Sequence, residues 1–316
     1  MESLADEAAS PESAAELRAS LKHLRTEVRG ATFVLKLLVC AAITAAGLLF
    51  ALQPAPWARI LGVALIGCMF AHAAELQHEA LHNLAFRNKR ANTIVGTALG
   101  LPMLISFTAY RVAHLRHHRY LGTAMNREFF DYGDQYGDAA GKTGFQRAMD
   151  WAARFTMFHH YRVFLANLWH SLLGRDFDGE TRTVSRRIRH DHFLILGSIS
   201  TLTVISVAFG SQFVLWAWLL PLLIVAAPVH ALIELPEHHG CETLDTDVFA
   251  NTRSVRSNRL MMWFTNGNNF HVEHHVMPNL PISRLPDLHL EIRDRLRYFH
   301  TGYFDYFRKL MTRQTR

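Results

Sequence analysis

The chain has 316 residues, 50% of them hydrophobic, with a formal net charge of +6, enough for two soluble domains or for one membrane domain with polar caps. Cys40, Cys68 and Cys241 lie in or near apolar segments without paired spacing, which argues against a disulfide framework and against a thiolate zinc site. The charge does not point to nucleic acid either, because its placement along the chain is that of a membrane protein: the short connections at Arg59 and at Gly210-Ser211-Gln212 carry almost none of it, whereas 83–190 and the stretch after 253 are rich in arginine.

Residues 1–30 read as a cytoplasmic amphipathic segment. A Ser-x-x-Glu cap at Ser13 and Glu16 precedes Leu17, Leu21, Leu24 and Val28 at helical spacing, a pattern that suits the membrane surface or the side of the domain. No short apolar region with a cleavage site precedes it, so it is not a signal peptide. A membrane domain follows over 31–300, with a cytoplasmic tail over 301–316. Its apolar runs fall at 31–52, 57–77, 94–110, 192–210 and 213–235, and four of them approach the roughly 20 residues that cross a bilayer core. Positive residues stay inside, so the two short connections face out and the basic mass faces in, where it also attracts anionic lipid headgroups.

Histidines mark the ends of these runs. "HEALH" holds His78 and His82, "HLRHH" holds His114, His117 and His118, "ELPEHHG" closes the last run, and "HVEHH" holds His271, His274 and His275. Residues three and four apart share a helix face, so each group aims its imidazoles one way. One such pair alone is more often chance than a ligand set; the repetition at membrane boundaries carries the argument. If 94–110 crossed the bilayer, His82 and His114 would lie about 30 Å apart and could not share an ion. Gly96, Gly100 and Pro102 interrupt that run, which therefore reads as a re-entrant or interfacial helix pair. The expected fold is an all-α integral membrane protein: four transmembrane helices, the re-entrant pair, and a cytoplasmic helical cap carrying a metal site.

With one ligand from the third group, nine imidazoles gather, more than one ion can hold, so two metals are implied. Imidazole suits zinc, copper, iron and nickel, and open positions on iron permit oxygen chemistry. A histidine-rich zinc transporter would instead place ligands along a mid-membrane path. Glu75, Glu79, Glu234, Glu237 and Glu273 read as partners that orient imidazoles through their second nitrogen, or as solvated helix-end carboxylates. His230 lies one turn before Glu234 and either supports the site, lines a substrate channel or replaces His238 as a ligand. Asn266, Asn268 and Asn269 either hold a metal-bound water or cap the helix of the last group. His23, His159, His160, His170, His190, His192, His289 and His300 read as interfacial or solvated.

HxxxH, HxxHH and a late HxxHH around two helix pairs resemble the membrane fatty acid desaturase and hydroxylase superfamily over residues 35–290. "HVEHHVMPNLPISRLPDLH" and "NTRSVRSN" look like the branch that includes carotenoid ketolases and small bacterial desaturases, and "EHHG" is similar to an alkane hydroxylase segment whose histidine binds iron, which selects His238 over His239. The resemblance implies two iron ions, dioxygen as co-substrate, and removal of hydrogen from an unactivated C–H bond. The metal ligands it implies are His78, His82, His114, His117, His118, His238, His271, His274 and His275. The segment "GTAMNREFFDYGDQYG" replaces an acidic-proline segment frequent in the family, which weakens any substrate assignment from that region.

Full reduction of dioxygen takes four electrons, of which desaturation draws two from the substrate. The sequence shows neither a haem-binding His-Pro-Gly-Gly segment nor a cysteine array, so the rest come from a separate electron-donor protein of ferredoxin or cytochrome b5 type. Arg186, Arg187 and Arg189 serve as part of its docking face or as plain positive-inside anchors. Trp151, Phe155, Phe158, Phe164 and Trp169 suit interfacial helices, as a lid over an acyl or isoprenoid entrance or as anchors. The expected function is oxygen-dependent desaturation of a lipid-like, fatty acyl chain in a bacterial inner membrane, with the active site on the cytoplasmic face. Hydroxylation or ketone formation on an alkyl or isoprenoid substrate is the alternative on the same centre.

Overall fold

The computed structural model describes residues 14–130 and 142–314. Ser13 of the proposed cap and residues 131–137 of the segment after the second histidine group lie outside the described residues.

Among the described residues four helices are long and apolar enough to cross a membrane. Helix α1, Ala14–Ser20, precedes the first of them, α2, Gly30–Ala51. It is joined by a short turn to α3, Pro56–Leu81, where Pro56 occupies the first helical turn and needs no hydrogen-bond partner for a missing N–H. The lipid-facing α2 is largely exposed, whereas α3 is buried along most of its length and forms the axis around which the other elements pack. Gly62 lets the two helices touch, since a Cβ there would lie 2.3 Å from the backbone N of Ala51.

The third apolar run forms α4, Lys89–Gly100, a 3-10 turn over Leu101–Met103, and α5, Phe107–Tyr120, with a 100° bend between the two arms. Leu104 sits at the bend with φ of 61°, a left-handed conformation unusual for leucine. Two glycines allow the turn to close: a Cβ at Gly100 would lie 2.3 Å from the Ile105 carbonyl oxygen, and one at Gly96 would meet the Phe107 ring at 2.2 Å. Ser106 caps α5 by accepting from the Ala109 N–H, and its own hydroxyl donates to Asp191.

Two helices follow outside the spans, α6, Gly144–Phe155, opened by a capping box at Thr143 and Gln146, and α7, Phe158–Leu172. The third span, α8, covers Arg182–Ala208 and begins ten residues before the apolar run at 192, because Thr181 caps it and its first turns pack beside α7. The fourth, α9, covers Leu215–Glu234. It is π-helical over Leu215–Leu219 and Pro221–Ala226, where Pro221 and Pro228 remove two N–H donors from the regular ladder.

The remaining chain is a layer of short elements: α10 (Val248–Asn251), β1 (Ser254–Val255), α11 (Arg259–Phe264), α12 (His271–Val276), α13 (Leu285–Ile292), β2 (Phe299–His300) and α14 (Tyr303–Gln314). The two strands pair in parallel, Ser254 with Phe299 and Val255 with His300. The amino-terminal segment packs onto this layer: Leu17, Leu21 and Leu24 are buried with Val276, Leu285 and Leu288, and the Arg18 Nε donates to the Val276 carbonyl at 2.8 Å. Its helical part ends at Leu24, so Val28 lies beyond the amphipathic stripe.

Candidate metal centre

Four separate pieces of chain meet above α3. His78 and His82 come from the end of α3, His114, His117 and His118 from the last turns of α5, His238 from the turns after α9, and His271, His274 and His275 from α12. The bend between α4 and α5 brings the first two together, with the ring centroids of His82 and His114 5.0 Å apart. The helix pair thus returns to the side from which it started.

The imidazoles separate into two groups, His78, His82, His114 and His274 in one and His117, His238, His271 and His275 in the other, each with ligand atoms within 4.8 Å of one another. His118 stands beside the first group, with its Nε2 2.9 Å from that of His114 and 3.0 Å from that of His274. Other Nε2 pairs are as close: 2.8 Å for His78 and His114, and 3.1 Å for His238 and His271 and for His271 and His275.

The ring nitrogens show why these rings face one another. Nδ1 of His238 donates to the Asn251 carbonyl at 2.9 Å, and Nδ1 of His78 and of His117 reach the side-chain oxygens of Asn268 and Asn126 at 3.0 Å. Holding the proton on Nδ1 leaves a lone pair on each Nε2, and these lone pairs converge. Metal bonds of about 2.1 Å meeting near a right angle would set neighbouring donors about 3.0 Å apart, close to the observed spacing. The buried Nε2 of His82 has no hydrogen-bond partner, a further donor awaiting a cation. Burial, reinforced by neighbouring imidazoles, pushes the pKa of His114, His271, His274 and His275 well below the usual histidine value, and burial takes His238 to about 4. Neutral imidazole is the form that binds metal. The donor set therefore fits two ions.

Carboxylates surround one side of the centre. Glu75, Glu128, Glu234 and Glu237 line a small cleft of about 30 Å³ together with Tyr110, Phe129, Phe130, Asn268 and four of the candidate ligands. Glu75 acts through an intermediary: its Oε2 accepts from Asn268 Nδ2 at 2.6 Å, while the Asn268 oxygen faces His78. Glu237 lies 3.3 Å from His271 Nε2, and Glu234 lies 3.4 Å from His230. Burial, and then the neighbouring Glu234, pushes the Glu237 carboxyl well above the usual range. His230 stays outside both imidazole groups; with Glu75 and Glu234 it forms a smaller cluster, and its ring packs edge-to-face against Phe130 at 4.6 Å. His239 also points elsewhere, with Nδ1 3.2 Å from the Tyr306 hydroxyl.

Several side chains assigned to the site by sequence have other work. Glu79 bonds Lys36 at 2.9 Å and Asn266 at 3.0 Å, not an imidazole of the centre. Glu273 is claimed by His289 and the Ser254 hydroxyl, both at 2.5 Å, because its position on α12 faces α13 and β1. Asn269 accepts from Thr265 and donates to the Val255 carbonyl, bracing the backbone before α12. None of the three asparagines caps α12, whose first turn is preceded by Phe270 without a side-chain cap. His160, His192 and His289 are buried, not solvated: the first sits beside the Met103 carbonyl, the second on the Ser171 hydroxyl and the third on Glu273. Conversely, Asn126 and Glu128 join the site without a motif to mark them, with oxygens 3.0 and 2.7 Å from His117 Nδ1. Their only signal is two polar residues within one loop of the second histidine group.

Fold and site together define a membrane protein with a histidine-rich di-metal centre at the ends of its spans. The family model for fatty acid desaturases matches residues 54–307, and the chain belongs to that family. Membership makes it an oxidoreductase of the di-iron type, working in a lipid environment on a lipid substrate. No curated protein matches the chain.

Proposed function

We propose that the protein desaturates a fatty acyl chain with dioxygen, using two irons held by His78, His82, His114, His118 and His274 and by His117, His238, His271 and His275. The observation that carries this reading is the convergence of nine imidazoles from four chain segments beside a carboxylate-lined cleft. When bound, the irons supply the redox chemistry that lets dioxygen take hydrogen from an unactivated C–H bond.

The protein's own residues bind and orient. Asn268, Asn126, Glu128 and the Asn251 carbonyl hold the imidazoles in one tautomer. A second cavity, of about 410 Å³, lies among α5, α7 and α8 and shares Glu128 and Phe129 with the cleft. Leu104, Val163, Phe164 and Ile188 give it apolar walls suited to a hydrocarbon chain, and Phe129 stands where that chain would reach the centre. Here α7 contributes more than anchoring, since Phe164 is buried against the cavity while Phe158 and Trp169 stay exposed. Tyr110 and the four glutamates supply hydroxyl and carboxyl groups that can pass protons to reduced oxygen at the cleft.

Mass spectrometry of lipids from cells with and without the protein tests the reaction. The reading expects a product two mass units lighter than its precursor. A product sixteen units heavier would place the chemistry in the hydroxylase branch, and metal uptake without oxygen consumption would replace the enzyme with a transporter.

A further inference from the structure

We propose that the basic groove bordered by Arg18, Arg119, Arg295 and Arg297 is where an acidic electron-carrier protein docks, and that electrons enter the metal centre through His118 and His275 at its floor. The inference rests on the oxygenase reading above and adds the place at which its reductant binds.

The groove has a volume of about 1100 Å³, and His118 and His275 line it together with the four arginines. It shares no residue with the carboxylate-lined cleft, which takes His114, His117 and His271 from the same two helices and His78 from α3. The two openings thus reach different sides of one ligand shell. His118 is the one candidate ligand whose side chain is partly exposed; the other eight are buried.

Charge then selects the occupant. Even without Arg295, Arg18, Arg119 and Arg297 outnumber Asp245 and Asp247 along the groove, whereas the other opening is ringed by glutamates. Three of the arginines are held in place: Arg18 by the Val276 carbonyl, Arg297 by Asp247 at 3.7 Å, and Arg295 over the Phe249 ring at 4.7 Å. A fixed positive rim steers an acidic protein and orients it on encounter. A substrate in this groove would have to pass its reacting carbon between ligands to reach the cleft, but an electron needs only the edge of a ligand ring.

The electron count is met by such a carrier. In desaturation, R–CH2–CH2–R, one dioxygen, two electrons and two protons give R–CH=CH–R and two waters. The substrate is oxidised by two electrons, and two reduced one-electron carriers supply the other two. Hydroxylation draws the same two electrons, so the inference holds for either outcome at the substrate.

Stopped-flow reduction of the iron-loaded enzyme by a plant-type ferredoxin, and separately by cytochrome b5, tests this. For whichever carrier reduces the unsubstituted enzyme faster, Arg119→Glu/Arg297→Glu should slow reduction by roughly tenfold or more at low salt. Added salt should narrow the difference, and iron content and reduction by dithionite should stay as in the unsubstituted protein. Arg186→Glu/Arg187→Glu, on α8, should leave the carrier rate unchanged. Equal rates for the groove variant and the unsubstituted protein, a loss confined to the α8 variant, or no reduction by either carrier would overturn the proposal. Failure of dithionite to reduce any bound metal would instead overturn the oxygenase reading.

Discussion

At the scale of single residues, the centre depends on which nitrogen of each ring carries the proton. His238 and His239 are adjacent, but only His238 has Nδ1 tied to a backbone carbonyl and Nε2 turned toward His271. His238→Ala should therefore lower iron content and abolish turnover, whereas His239→Ala, which loses a contact to Tyr306, should keep most of both. The reverse pattern in metal analysis of the two purified variants would show that the ligand is misassigned. Lys36 offers a second case: a charged residue on a spanning helix, it donates to Glu79 at 2.9 Å and Asn266 at 2.7 Å. Breaking a fully buried pair from one side costs about 3–5 kcal/mol, an upper bound for this partly exposed lysine, and part of that returns when the abandoned charge is also removed. Lys36→Met should lower the thermal midpoint, and Lys36→Met/Glu79→Gln should recover part of the loss; equal midpoints for the two would remove the ion pair from the account. The histidines were legible in the sequence because three- and four-residue spacing is local. Their partners were not: Asn268 and His78 are 190 positions apart, and nothing local shows that Glu273 turns to His289 instead.

At the scale of elements, the bent pair of α4 and α5 decides whether the first two histidine groups can meet. Gly96, Gly100 and Pro102 marked the interruption in the sequence, and the structure supplies their use: the glycines admit the Ile105 carbonyl and the Phe107 ring where any side chain would collide. Gly100→Leu should cost at least the 1–3 kcal/mol typical of overpacking, about enough to loosen the bend, and iron should be lost with it; full iron retention would count against the packing argument. Topology can be read with single cysteines in a background lacking Cys40, Cys68 and Cys241. Lys89 and Arg119, at the two ends of the pair, should both label from one side of the membrane and Ser211, in the turn between α8 and α9, from the other. Labelling of Lys89 and Arg119 sites from opposite faces would contradict the shared centre. Element boundaries were less legible than element existence. The start of α8 at Arg182 depends on a cap and on packing beside α7, not on hydropathy, and the widened turns of α9 follow from two prolines within a run that reads as uniformly apolar.

At the scale of the whole molecule, a bundle of spans carries a polar layer, with the metal centre where the two meet. Four helix ends deliver the histidines, and the carboxylate-lined cleft and the arginine-lined groove approach them from separate sides. Hydropathy made the bundle readable, and the repeated histidine spacing made the centre readable. The separation of the two openings was not, because it arises from α10, α12 and the amino-terminal helix packing together across more than 200 residues of chain. If nine imidazoles hold two irons, metal analysis of protein expressed with supplied iron should find close to two iron atoms per chain, falling when His78, His238 or His274 is replaced by alanine. One zinc per chain and no iron would contradict it.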